Sequence, residues 1–107
     1  ELDDFEHTQA YIKPNVTLNS LAKFTHTNTK YLSNVINTQK GKNFNNYIND
    51  LRVEYAIKQL NDNSVFRNYT IKAIANDVGF SNTESFTKAF HKKTGVKVSY
   101  FIKNLNN

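Results

Sequence analysis

The chain has 107 residues, enough for one compact domain, and 14 Lys and Arg against nine Asp and Glu give it a net charge of +5. It contains no Cys, which excludes disulfides, a thiolate zinc site and a thiol nucleophile, and which fits a reducing compartment. No apolar run approaches the roughly 18–20 residues that a membrane span needs, so we expect no span in this chain.

Apolar residues recur three or four positions apart, which predicts an all-α fold. Pro14 ends a short first helix, Thr17 or Asn19 caps the second, and Gly41 and Gly95 terminate two longer helices. Residues 61–68 read as a loop. About seven helices are predicted, at 2–12, 17–24, 29–40, 45–60, 70–79, 82–94 and 99–103.

The predicted helix at 45–60 is apolar on more than one side. Tyr47, Ile48, Leu51 and Tyr55 form one stripe, and further aliphatic residues widen it. A helix of this kind is wedged between other elements. Asp50 and Glu54 also lie on it, four residues apart. Because Lys and Arg crowd the same helix, we interpret them as solvated charges rather than as a catalytic acid pair.

Two segments of the sequence resemble each other. Leu21-Ala22 precedes Ile74-Ala75 by 53 residues, whereas the segment 32–41 precedes 86–95 by 54, so the offset slips by one inside a turn. Each copy has a short helix, a tight turn, a second helix and a terminal glycine, which is the helix-turn-helix layout. Two helical hairpins used only for packing would give the same repeat.

The stretch IANDVGFSNTESFTKAFHKKTG, residues 74–95, resembles the second helix-turn-helix signature of AraC-type transcriptional regulators. The stretch LRVEYAIKQL, residues 51–60, is similar to the helix that connects the two motifs in that family. The resemblance covers about residues 17–103. In the first turn the family usually carries Leu-Gly-Val, and this chain has Thr25-His26-Thr27. The signature positions that match are Ile74, Ala75, Gly79, Phe80, Phe86, Phe90 and Gly95, together with Lys92, which is shifted by one residue from the usual Phe-Lys.

The resemblance implies two helix-turn-helix subdomains, at 17–44 and 61–107, joined by a linker helix at 45–60. Residues 1–16 would form a junction to an upstream region. A linker of sixteen residues is about 24 Å long. With the radii of the subdomains added, the recognition helices could lie about one DNA turn, roughly 34 Å, apart and enter successive major grooves.

The helix faces and the resemblance together suggest which residues would read bases. With Phe86 and Phe90 buried, a separate polar face remains on the second recognition helix. With Leu32 and Ile36 buried, the same holds for the first. Short polar side chains on such faces can reach base edges. The residues expected to contact bases are Lys30, Ser33, Asn34, Thr83, Glu84, Thr87 and Lys88.

Other polar residues near these faces are expected to contact the DNA backbone. Tyr31 is either a packing ring or a phosphate contact. Glu84 has a second interpretation, because Ser81 and Glu84 match a capping box. No Arg lies on either recognition helix, so we expect modest specificity per base. The expected phosphate contacts are Tyr31, Asn37, Lys40, Lys42, Asn82, His91, Lys92 and Lys93.

The charge distribution agrees with a polyanionic partner. Four of the nine acids fall in the first six residues, whereas Glu84 is the only acid from position 82 onward and five lysines follow it. A solvated lysine surface on an ordinary domain would have the same composition. We find no catalytic constellation, metal-ligand spacing or nucleotide-binding loop, so we expect neither an enzyme, a metal site nor a cofactor.

The sequence therefore predicts sequence-specific binding of double-stranded DNA by the output domain of a bacterial regulator in the cytoplasm. The chain begins with Glu1 and contains no Met, so we expect it to be part of a longer protein. An upstream sensor region of the same chain and RNA polymerase are the further partners that the resemblance implies. The alternative is a helical protein-interaction module that docks an acidic partner through its lysine-rich surface.

Overall fold

A computed structural model describes residues 2–106, and every regular element in that range is helical. The all-α prediction is confirmed for these residues, with eight α-helices and one 3₁₀ helix where about seven helices were expected. In chain order they are α1 (Leu2–Thr8), the 3₁₀ helix (Ala10–Ile12), α2 (Leu18–Phe24), α3 (Thr29–Lys40), α4 (Phe44–Asp62), α5 (Ser64–Arg67), α6 (Ile71–Asp77), α7 (Thr83–Thr94) and α8 (Val98–Leu105).

Helix α4 joins two hydrophobic cores in a molecule that measures 46 × 23 × 22 Å. Its first turns place Tyr47 and Ile48 in a core shared with α1, α2 and α3. Its later turns place Val53, Ala56 and Leu60 in a second core shared with α6, α7 and α8. The apolar side chains on several faces of α4 are explained by this double burial, since the two cores lie on different sides of it.

The predicted first helix at 2–12 is wrong in its extent. Helix α1 ends at Thr8, whose hydroxyl donates to the carbonyl of Phe5 at 2.7 Å. Gln9 then takes a left-handed conformation with φ 58°, and a separate 3₁₀ helix follows. A threonine hydroxyl that bonds to the backbone competes with helix propagation, and apolar periodicity does not register this break.

Other helix boundaries also differ from the predictions. Thr17, not Asn19, caps α2: its hydroxyl oxygen accepts from the Ser20 amide at 3.0 Å. The linker helix α4 extends beyond 45–60 at both ends, and α8 is longer than 99–103. The predicted loop at 61–68 contains α5. The Asn63 backbone amide donates to the Gln59 carbonyl at the end of α4, and the Asn63 side chain accepts from the Phe66 amide and so caps the next turn.

One buried charge connects the N-terminal segment to the second core. Arg52 of α4 is 8% exposed and donates to the carbonyl of Tyr11 at 2.5 Å and to that of Lys13 at 2.8 Å. Its guanidinium lies 5.7 Å from the centre of the Phe80 ring. Burial lowers the pKa of Arg52, but an arginine stays charged at neutral pH. The guanidinium therefore binds residues 11–13 and the turn before α7 together.

Candidate nucleic-acid interface

Helices α3 and α7 are built on the same plan, 54 residues apart. Each has twelve residues, an asparagine N-cap and a left-handed glycine at its C-cap. The side-chain oxygen of Asn28 accepts from the Tyr31 amide at 2.8 Å, and that of Asn82 accepts from the Ser85 amide at 2.7 Å. The helices that precede them, α2 and α6, have seven residues each and are both capped by threonine.

The turns before α3 and α7 show where the repeat slips by one residue. In the first turn the Thr27 amide donates to the Ala22 carbonyl at 2.9 Å, and in the second the Phe80 amide donates to the Ala75 carbonyl at 3.0 Å. These bonds lie 53 residues apart, whereas the asparagine caps that follow lie 54 apart. Ser81 is therefore the additional residue. His26, with φ 58°, occupies the place of Gly79, with φ 103°.

The face of α3 that points away from the first core carries the polar residues predicted to read bases. Leu32 and Ile36 are buried, as expected. Lys30 and Asn34 are exposed, and Ser33 is half-buried beside them. Two of the predicted phosphate contacts, Tyr31 and Asn37, are exposed as well. These five side chains extend along one helix, whose surface they make polar except for the ring of Tyr31.

Helix α7 presents a matching face. Phe86 and Phe90 are fully buried, while Glu84 and Lys88 are exposed and Thr83 and Thr87 are half-buried. The Thr87 hydroxyl donates to the Glu84 carbonyl at 3.0 Å. The side chains predicted to read bases therefore lie on the accessible part of the helix, as those of α3 do.

The capping box predicted at Ser81 and Glu84 is wrong. Helix α7 begins at Thr83, and Asn82 is its N-cap. This puts Glu84 at the second helical position, where its carboxylate is too early to complete a box. Because the additional residue of the repeat falls at Ser81, the start of the helix moves by one position. Glu84 still lies in the first turn, where its charge interacts favourably with the helix dipole.

Three lysines predicted to contact phosphate are paired with carboxylates in the free domain. The Lys40 ammonium lies 3.3 Å from the Glu6 carboxylate and 5.9 Å from the centre of the Tyr47 ring. The other two pairs join Lys42 to Asp50, and Lys93 to Glu54 at 3.1 Å. Of the other predicted phosphate contacts, His91 and Lys92 are exposed on the last turns of α7, and Asn82 is exposed at its start.

A groove of about 510 Å³ separates α7 from the first half of α4. Lys42 and Asp50 lie on its α4 side, and Lys88, Lys92 and Lys93 lie on its α7 side. Four ammonium groups therefore meet one carboxylate along this groove. It lies between α7 and the segment that follows α3.

A family model described as a helix-turn-helix domain matches residues 21–104 of the chain. The chain belongs to the AraC-type helix-turn-helix family. A crystal structure of an AraC-type transcriptional regulator from Chromobacterium violaceum has the same fold, with a TM-score of 0.77 at 18% identity over 91% of this chain and 83% of that one.

Two relatives extend this assignment of an AraC-type domain. The HTH-type transcriptional regulator YobQ of Bacillus subtilis is 34% identical over 90 residues, which is 84% of this chain but only 36% of YobQ. The C-terminal domain of AraT, a response regulator from Geobacillus stearothermophilus, superposes with a TM-score of 0.76 at 26% identity, over 92% of this chain and 80% of that one. YobQ and AraT are both described as regulators.

The ion pairs of two acids in this AraC-type domain could not be predicted from the sequence. Asp50 and Glu54 are interpreted above as solvated charges, and the Glu54 side chain is indeed 57% exposed, but each acid is also paired with a lysine that lies outside α4. Their spacing of four residues was visible, but the lysines lie eight residues away in one case and 39 in the other. Only the fold brings these partners together.

Two further observations limit the chemistry of the AraC-type domain. Among residues 2–106 no three potential metal ligands come together, and no helix is both long and apolar enough to cross a membrane.

The Tyr47 hydroxyl donates to the Glu6 carboxylate at 2.5 Å. Burial, followed by this bond, raises the pKa of Tyr47 far above its usual value, and burial likewise raises that of Tyr11. Both phenols therefore remain neutral and structural.

Proposed function

We propose that this domain binds double-stranded DNA sequence-specifically, as the output domain of a bacterial transcriptional regulator, with α3 and α7 in successive major grooves. The observation that carries the proposal is the duplication of one recognition helix. Helices α3 and α7 have equal lengths, equivalent caps and open polar faces, and each is packed against α4. Packing alone would not require the same polar face twice.

The dimensions of α4 support two contacts on one side of the duplex. Its 19 residues correspond to about 28 Å of helix, and one turn of DNA rises roughly 34 Å. The width of α3 and α7 on either side supplies the difference. A single chain would therefore read an asymmetric site of two halves, one helical turn apart.

The side chains suggest how each half is read. The Asn34 amide can pair with an adenine edge, and the Lys88 ammonium can donate to guanine. Since the Thr87 hydroxyl already donates to the backbone, it offers a methyl group for thymine and an oxygen that accepts from an amino group. Asn82 uses its oxygen as the helix cap, which leaves its NH₂ group for a phosphate.

The positions of the exposed apolar residues argue against a protein-interaction surface on α3 and α7. Such a module would carry large apolar side chains on its contact faces. In the described part of the chain most of these residues lie away from α3 and α7, at Phe24, Val65, Tyr69 and Tyr100, and Tyr31 of α3 is the exception. The polar character of both recognition faces fits base edges and phosphates better.

The same proposal includes the expected partners. The domain would receive its signal from a sensor region of the same polypeptide and act with RNA polymerase in a bacterial cytoplasm. The chain matches 36% of the length of YobQ, which leaves room in such a relative for a separate sensor. Of the segment expected as the junction, residues 2–12 are tied into the domain, because Leu2, Phe5 and Tyr11 are buried in the first core.

Selection of bound sites from random duplexes tests the proposal. The wild-type domain should enrich two blocks of preferred bases, about one helical turn apart. Lys88→Ala should relax the preference in one block and Asn34→Ala in the other, each by about 1–3 kcal/mol of discrimination at the affected base. The matched controls are Lys58→Ala, on an exposed position of α4, and Gln39→Ala, on α3 beyond the predicted readers.

Three results would contradict the proposal. The first is a failure to retain any duplex at low salt. The second is enrichment of one block only, which would mean that a single helix reads bases. The third is a uniform loss of affinity in both variants, without a change of preference, which would make Lys88 and Asn34 phosphate contacts.

A further inference from the structure

Two ion pairs of the interface connect α4 to lysines that were predicted to bind phosphate. Asp50 pairs with Lys42, which precedes α4, and Glu54 pairs with Lys93, near the end of α7. The two acids lie four residues apart and therefore on one face of α4. One helix thus pairs with a lysine from the first helix-turn-helix motif and with a lysine from the second.

Three of the four residues in these pairs line one groove, which under the proposed function would lie near the DNA backbone. Lys42, Asp50 and Lys93 all line the groove between α4 and α7, and Lys88 and Lys92 line it as well. The ammonium-bearing side chains of the two pairs keep 33% and 28% of their surface exposed, so an external anion can reach them. The third pair, of Lys40 with Glu6, packs on the Tyr47 ring instead.

A carboxylate and a phosphate bind a lysine ammonium in the same way, as oxygen acceptors of charge-assisted hydrogen bonds. A phosphate that reaches Lys42 or Lys93 must therefore displace or share with an acid of α4. The same acid repels the phosphate. A lysine already neutralised by a carboxylate also contributes less to the counterion release on which phosphate binding depends.

We propose that Asp50 and Glu54 are internal counter-ions that compete with DNA phosphates for Lys42 and Lys93, and so limit the sequence-independent affinity of the domain. The inference rests on the proposed function, because it assigns a role to acids within the same interface. Base contacts from α3 and α7 are left untouched by this competition. The acids therefore set how strongly, and with what dependence on salt, the domain holds the DNA backbone.

The test compares Asp50→Asn, Glu54→Gln and the double variant with wild type, on a duplex from the selection and on a scrambled one. Each single change should strengthen binding to both duplexes about 1.5- to 5-fold, which is the range that the stability of exposed ion pairs implies. The slope of log affinity against log salt should steepen by up to about 0.9 for each lysine that is released.

Asp62→Asn is the matched control, since it removes one negative charge from the last residue of the same helix, away from the groove. It should change neither affinity nor slope by a comparable amount. In a Lys42→Ala background, Asp50→Asn should lose most of its effect on DNA affinity, because the lysine that pairs with Asp50 is absent. Thermal unfolding of each variant shows whether the fold is intact. If Asp50→Asn does not fold, the binding test relies on Glu54→Gln alone.

Two outcomes overturn the inference while leaving the proposed function standing. Unchanged or weaker binding of both variants would mean that the acids position the lysines or do nothing. An equal gain with Asp62→Asn would reduce the effect to net charge. If the wild-type domain binds no duplex at low salt, the proposed function itself fails, and that result is distinct because it needs no variant.

Discussion

Gly79, in the turn before α7, is the residue whose substitution we expect to damage the fold most for its size. A Cβ atom at this position would lie 2.6 Å from the carbonyl oxygen of Ile12 and 2.7 Å from Nε of Arg52. The backbone there has φ 103°, which side-chain-bearing residues rarely adopt. The substitution Gly79→Ala would thus force the turn away from the N-terminal segment that packs on it.

The substitution Gly95→Ala separates the two contributions to the expected loss of stability, which are backbone strain and overpacking. Gly95 also has a positive φ, of 80°, but a Cβ there would meet nothing within 4 Å. Its substitution should cost only the left-handed backbone strain, about 1–2 kcal/mol. Gly79→Ala has at least as much strain, since φ 103° lies further from the left-handed helical region, and it must also displace backbone atoms of Ile12, for which overpacking costs about 1–3 kcal/mol. We expect a total of about 2–5 kcal/mol.

Urea unfolding followed by circular dichroism at 25 °C measures both variants. Gly79→Ala should lower the free energy of unfolding clearly more than Gly95→Ala. Since small domains are stable by about 5–15 kcal/mol in total, Gly79→Ala will leave the domain partly unfolded if the wild type is at the low end of that range. Equal losses in the two variants would show that Ile12 does not press on this turn, and the reasoning from its position would fail.

Three other predictions follow from the buried polar groups and the caps. Arg52→Met should cost about 2 kcal/mol in urea unfolding, because the carbonyls of Tyr11 and Lys13 lose their charged donor, and an unchanged midpoint would contradict this role. Tyr47 has a raised pKa in the fold, so its contribution to stability is full below the unfolded pKa of about 10 and is lost as pH rises above it. The free energy of unfolding should therefore fall between pH 9 and 11 more steeply in wild type than in Tyr47→Phe, by up to about 1.4 kcal/mol per pH unit, and parallel curves would refute this. Asn82→Ala should cost about 1 kcal/mol in thermal unfolding through loss of the α7 cap, whereas the exposed control Asn104→Ala should cost little.

The helices and the repeat could be predicted because their signals are local. Gly41 and Gly95 end α3 and α7 at the predicted residues, since only a residue free of a Cβ takes φ near 70–80° without strain. The buried positions of Phe86 and Phe90, one turn apart, follow from the helical period. The family was visible in the same residues, and the comparisons confirm it.

Some helix boundaries were predicted wrongly because two local signals in the sequence competed. At the start of α7, Ser81 and Asn82 are both good caps, and the sequence pattern favoured Ser81 with Glu84. In the structure Asn82 is the cap, because its side-chain oxygen accepts from the Ser85 amide, and Ser81 stays outside the helix as the additional residue of the turn. The break in the first helix at Thr8 is of the same kind.

The sequence by itself determined the class of fold, the order of the helices and the faces of α3 and α7 that meet solvent, since each depends on residues within a few turns of one another. The tertiary structure alone decided which distant groups meet. Arg52 finds its carbonyl partners 39 and 41 residues earlier, and Glu54 meets Lys93 only where α7 crosses α4. Such pairs leave no periodic trace in the chain, because they depend on how the helices pack and not on the spacing of residues along any one of them.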